Sequence, residues 1–173
     1  MRWKRVIADI PVAEPRRNVA LGLALAAIVV VLDQLSKLWI VGRLTASGSF
    51  VHIADFFDIV LVRNRGVSFG LFNNDAAING IVFSLLAAVI VAILLVWLWR
   101  APGTLLPAAI GLVVGGAIGN VIDRLRLGSV VDFLDFHLGG WHWPAFNLAD
   151  AAICIGVGLM IIDGLLGRRG ASN

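Results

Sequence analysis

Four long apolar runs divide the chain, at roughly 19–41, 77–99, 104–122 and 145–166. A helix needs roughly 20 apolar residues to cross a bilayer, and each run meets that length. The expected fold is therefore an α-helical integral membrane protein with four transmembrane helices, forming a single membrane domain over residues 1–173. The largest polar interval, 42–76, contains FVHIADFFDIVLV from Phe50 to Val62. Its β-branched and aromatic residues predict one or two short strands. A small extracytoplasmic, β-rich, interfacial region is thus expected between helices 1 and 2. The interval 125–145 carries VVDFLDF from Val130 to Phe136, which fits a short strand or an interfacial helix equally.

Composition agrees with this pattern. Hydrophobic residues make up 60% of the chain and charged residues 14%, against about 45–50% and about 25% in soluble domains. The net charge of +3 comes largely from the tails, and no basic stripe alternates with aromatics, so nucleic acid is not an expected partner. The first apolar run is too long for a cleaved signal peptide and is read as a retained helix. Cys154 is the one cysteine, so no intrachain disulfide forms. It reads as a small buried apolar residue. His137 and His142 lack metal-ligand spacing, and neither a metal nor another cofactor is expected. A monomer is the expected state.

Positive charge sets the orientation. Arg2, Lys4, Arg5, Arg16 and Arg17, the Arg100 turn, and Arg168 with Arg169 fall on one side of a four-span topology. By the positive-inside rule that side is cytoplasmic, with both termini there. Asp33, Asn64, Asp123, Asp132 and Asp150 then converge on the outer interface.

The polar residues near the ends of the runs narrow the chemistry. Asp33 and Lys37, four apart, share a helix face and can pair. Such a pair is either a structural ion pair or the border of a polar site. Asn64 and Gly66 lie in a polar turn flanked by glycines. Gly111, Gly115 and Gly119 form a small-residue face suited to close helix packing. Asn120, Asp123 and Arg124 meet on adjacent turns at the end of the third run. There Asp123 is read as an anchor for the next loop. Pro144 suits the start of the fourth helix, and Asn147 and Asp150 share a face within it. No serine or cysteine has a recognisable base beside it, which disfavours nucleophilic catalysis. What remains is acid–base work by carboxylates, and the positions of Asp132 and Asp150 allow those two to meet. If they share a site they cannot both ionise cheaply, so one holds a proton while the other activates water. At first sight Asp135 is an equal candidate, and only the resemblance below drops it.

NRGVSFG, GNVIDRLRLGSVVDF and FNLAD occur in this order, together with a DQxxK group in the first run. The ordered set resembles the bacterial lipoprotein signal peptidases, the type II signal peptidases, from about residue 19 to 166. The resemblance implies that Asp132 and Asp150 are catalytic. It implies supporting or substrate-binding places for Asp33, Lys37, Asn64, Gly66, Asn120, Asp123, Arg124 and Asn147. It further implies an aspartic endopeptidase in the bacterial inner membrane, acting on diacylglyceryl-modified prolipoproteins among membrane lipids. Cleavage would fall just before the lipidated cysteine. Val67, where the family often has alanine, is a minor departure. Two other classes compete. A proton-coupled transporter component would use the same acids as a relay, but here they cluster on one side. A structural subunit would leave the Asn120/Asp123 and Asn147/Asp150 clusters without a purpose.

Overall fold

The structure is a computed structural model, and it describes residues 15–47, 50–66 and 76–170. The basic lead before residue 15 and the stretch Val67–Gly70 lie outside these, as do the side chains of Arg168 and Arg169. Among the described residues there are four helices: α1 (Pro15–Ser47), α2 (Ala76–Leu98), α3 (Leu105–Leu127) and α4 (Leu148–Gly170). All four contain a segment long and apolar enough to cross a membrane.

Helix α3 is the centre of the bundle. Of its apolar window 67% is buried, against 28% for α1, 17% for α4 and 11% for α2. Its glycines explain the difference. A Cβ at Gly111 would strike the Gly22 backbone, and one at Gly115 would strike Ala26 and Val29, so this face lets α1 approach closely. Gly116 does the same for Ala149 of α4. Helix α2 is apolar all round, and Ile81, Leu85, Val89, Ile93 and Val96 project outward, as lipid-facing side chains do. An apolar core of Ala26, Leu94, Leu98, Ile110 and Val114 closes the bundle toward the α2–α3 turn.

At the opposite end lies one antiparallel sheet, order β1-β2-β3-β4. Its strands are β1 (Phe50–Ala54), β2 (Phe57–Asn64), β3 (Val130–Leu138) and β4 (Trp141–His142). The segment Val130–Phe136 is thus a strand. Half of the sheet comes from the connection between α3 and α4, and β2 joins the two halves by pairing Phe57 with Phe136 and Asn64 with Val130. Phe133 packs on Ile40 and Leu44, seating the sheet on the end of α1.

Three local readings change. Helix α3 runs on to Leu127, so Asp123 and Arg124 sit inside its last turns, and Gly128 closes it in the left-handed conformation (φ 68°). Helix α4 begins at Leu148, so Pro144 precedes it and Asn147 takes the capping position. Cys154 is exposed on α4. An apolar run does not distinguish a side chain facing lipid from one facing the core, because both solvents are apolar.

Candidate active site

Helix ends and strands deliver the polar residues to one place. Lys37 lies at its centre, buried, with its Nζ 2.8 Å from Asp33 Oδ2 and 2.9 Å from Asp123 Oδ2. The same ammonium donates to Asn120 Oδ1 at 3.1 Å. Gln34 Nε2 adds donations to Asp33 Oδ2 (3.2 Å), Asp123 Oδ1 (3.0 Å) and the Gly119 carbonyl (3.2 Å). Both carboxylates also accept from backbone amides across an element boundary. Asp33 Oδ1 accepts from the Ala149 amide at 3.0 Å, at the start of α4, where a negative charge favours the helix. Asp123 Oδ2 accepts from the Val131 amide at 3.0 Å, fixing the first residues of β3. Two buried acids and one cation thus hold α1, α3, α4 and β3 together.

The approach of α1 depends on Gly119. A Cβ there would lie 2.6 Å from Asp33 Oδ2. Tight packing and the polar network are therefore one design.

Asp132 and Asp150 stand beside this brace. Asn147 and Asp150 form a reciprocal cap of the kind seen in capping boxes. The Asp150 amide donates to Asn147 Oδ1 at 3.0 Å, and the Asn147 amide donates to Asp150 Oδ2 at 3.2 Å. Asn147 Nδ2 then donates to Asp132 Oδ1 at 2.7 Å and to Asn120 Oδ1 at 3.2 Å. Asn120 Nδ2 donates to Asp150 Oδ1 at 2.7 Å. Asn64 Nδ2 completes the set by donating to Asp132 Oδ2 at 3.0 Å. Lys37 has no acceptor atom, so it turns the Asn120 carbonyl toward itself and leaves the amide group for Asp150. Both carboxylates therefore receive their hydrogen bonds from amides.

Asp132 is 2% exposed, while Asp150 is partly exposed. Burial pushes the Asp132 carboxyl up from 3.8 to about 6. The Asn64 hydrogen bond opposes this rise, the charge of Asp150 adds to it, and Asn147 and Lys37 oppose it. The two acids therefore sense one another.

Asn64 Oδ1 accepts from the Gly66 amide at 2.9 Å, an Asx turn that fixes the amide pointing at Asp132. Gly66 has φ +89°, and a Cβ there would sit 2.8 Å from the Phe83 ring. Arg124 lies over that ring, 5.7 Å from its centroid. Its guanidinium feels the charges of Asp150, Asp132 and Asp123. A cleft of about 300 Å³ opens between α2, α3 and α4. Phe83, Leu86, Ile90 and Ile153 give it apolar walls, while Asn120, Arg124 and Asp150 give it a polar end.

All ten residues expected from the sequence lie in or beside this network. The expected set lacked Gln34, although its polar side chain inside an apolar run was itself a signal. It also lacked Phe83, an ordinary apolar residue whose role depends on the fold. Asp135 lies an odd number of residues from Asp132 along β3, so it faces the other side of the sheet. There it meets His142 Nδ1 at 2.9 Å, while His137 Nε2 lies 3.2 Å from Asp58.

The model of the family described as signal peptidase (SPase) II matches residues 25–166. The lipoprotein signal peptidase of Paraburkholderia phymatum is 48% identical over 151 residues, covering 86% of this chain and 90% of that protein. That of Beijerinckia indica subsp. indica is 44% identical over 143 residues, covering 82% and 85%. A bacterial membrane enzyme solved by the in meso method at 2.3 Å shares the fold with a TM-score of 0.74. It is 30% identical and the match covers 89% of this chain and 92% of that one. Four apolar helices, a small antiparallel sheet and matches across most of the chain agree: this protein belongs to the signal peptidase II family of membrane peptidases.

Proposed function

We propose that this chain removes the signal peptide from diacylglyceryl-modified prolipoproteins as an aspartic endopeptidase, cutting just before the lipidated cysteine. The observation that carries the reading is the linkage of Asp132 and Asp150 through Asn147, at the polar end of an apolar cleft. The names of the relatives support the substrate class. The cleft supports its route, because a signal helix and acyl chains reach the bundle laterally through lipid.

One carboxyl of the pair carries a proton and donates a hydrogen bond to the scissile carbonyl oxygen, while the other takes a proton from the attacking water. The tetrahedral intermediate then collapses as a proton passes to the leaving amine, with no covalent enzyme intermediate. Asn64, Asn120 and Asn147 hold the two carboxyls, and Arg124 tempers the charge at the mouth. Asp33, Lys37, Gln34 and Asp123 set the frame. The positive charges of the N-terminal lead, the Arg100 turn and the C-terminal tail support cytoplasmic termini. That orientation puts the site at the outer surface of the bacterial inner membrane. The chain works as a monomer in this reading.

Asp132→Asn and Asp150→Asn test it in detergent with a lipidated precursor. Each is expected to lower turnover by about 10⁴-fold, the upper range for acid–base groups, while the protein stays folded. Near-native turnover by either variant refutes the pair.

A further inference from the structure

Asp132, Leu134, Phe136 and Leu138 alternate along β3 and share one face of the sheet. Beyond Leu134 that face becomes wholly apolar and ends in an aromatic cup of about 430 Å³. Phe56, Phe136, Leu138, Trp141, Trp143 and Phe146 line it, together with His137. Its rim is bare: Leu138 is 77% exposed, Trp141 62%, and Trp143 and Phe56 56% each. Trp141 and Trp143 meet edge to face at 5.9 Å, and Phe136 stacks on Phe146 and lies tilted against Phe57. Hydrogen bonds tie the cup rigidly to β3, with the Trp143 amide donating to the Phe136 carbonyl at 2.8 Å and the Phe146 amide to the Leu134 carbonyl at 3.1 Å.

The height of this cup follows from α1. Its apolar span, Asn18–Thr45, has 28 residues, about 42 Å of helix, which matches the roughly 40–45 Å of hydrocarbon core plus headgroup layers. Phe133 of β3 packs on Ile40 and Leu44, in the last turns of that span. The sheet therefore runs at headgroup level, near the end of α1 where Trp39 is 62% exposed. Tryptophan is favoured at that depth because its ring is apolar and its N–H is polar.

We propose that the β3–β4 hairpin is an interfacial anchor: Leu138, Trp141, Trp143 and Phe56 insert among the headgroups of the outer leaflet. The partner is the bilayer surface itself. The anchor stands whether or not Asp132 is catalytic. If it is, one consequence rests on the proposed peptidase reading. Six residues of strand, about 20 Å, connect Leu138 rigidly to Asp132, so the anchor sets the depth at which that carboxyl meets a membrane-borne bond.

The test is a depth measurement on the full chain in phosphatidylethanolamine/phosphatidylglycerol vesicles. Cys154→Ala leaves a single site when Leu138→Cys or Thr45→Cys is added and labelled with a nitroxide. Thr45, at the outer end of the α1 span, is the reference for the water-facing edge. The ratio of collisions with oxygen to collisions with a water-soluble nickel chelate is expected to be several-fold higher at 138 than at 45. Equal ratios overturn the anchor. Protection at 138 that arises only when lipidated precursor is added assigns the cup to substrate and also overturns it. Should Leu138→Cys fail to fold, brominated phosphatidylcholine in the vesicles supplies the second readout. Trp141→Phe with Trp143→Phe must then remove part of the tryptophan quenching seen in the native chain, and undiminished fractional quenching rejects the proposal.

Discussion

Two groups of acids lie side by side at the end of this bundle and are treated in opposite ways. Asp33 and Asp123 are buried against one ammonium, and their carboxylates accept from Lys37, Gln34 and two backbone amides. Asp132 and Asp150 receive hydrogen bonds from amides, with Lys37 and Arg124 acting on them only at a distance. A buried acid locked to a contacting cation can hold helices together. An acid partnered by neutral amides has no contacting cation that fixes it in such a brace. On the proposed reading that difference separates framework from chemistry, although all four residues are aspartates in one small volume.

Breaking the framework should cost stability first. Lys37→Met leaves two buried carboxylates without their cation. A loss of about 3–5 kcal/mol is expected, read as collapse of thermal stability and yield in detergent. A variant as stable as the native chain would erase the distinction between the two groups.

The pair should show the reverse sign. The Asp132 carboxyl is raised from 3.8 to about 6 in the folded protein, so the folded state holds its proton more tightly than the unfolded one. The stability it contributes is therefore lost as pH rises from 3.8 through 6, and the cost is constant above that. At about 1.4 kcal/mol per pKa unit, Asp132→Asn is expected to gain on the native chain by up to about 3 kcal/mol between pH 4 and pH 7. Melting both proteins across this range checks it, and a gap that shrinks with pH contradicts the assignment.

A smaller effect sharpens the contrast. Gly119→Ala pushes a methyl against Asp33 Oδ2, and overpacking of this kind costs about 1–3 kcal/mol. Turnover by the molecules that remain folded should be largely retained, because the methyl meets the brace and not the pair. Unchanged melting would show that α1 and α3 are less tightly apposed than the structure has them.

Hydropathy makes the four helices legible in the sequence, since nothing but a bilayer explains such runs. It does not resolve their ends. Helix α3 continues through Asp123 and Arg124 because Asp123 finds partners across the bundle, and α4 waits for the Asn147–Asp150 cap in spite of Pro144. The sheet was legible only in part. Phe57 and Phe136 are strand neighbours but far apart in sequence, and no local pattern announces such pairing. Among the polar residues, the order of short motifs located the network without its wiring. That Asn120 is turned by Lys37 to face Asp150, or that Asp33 caps α4, depends on helix packing that glycine spacing suggests but does not orient.

In the proposed reaction Asp132 and Asp150 act as one unit. The direct measurement is turnover of a lipidated precursor by Asp132→Asn, Asp150→Asn and the double variant, each verified as folded. Groups that act together lose their function once, so the double variant should be no slower than the slower single variant. A double variant slowed by the product of the two single losses would show two independent acids and refute the pair.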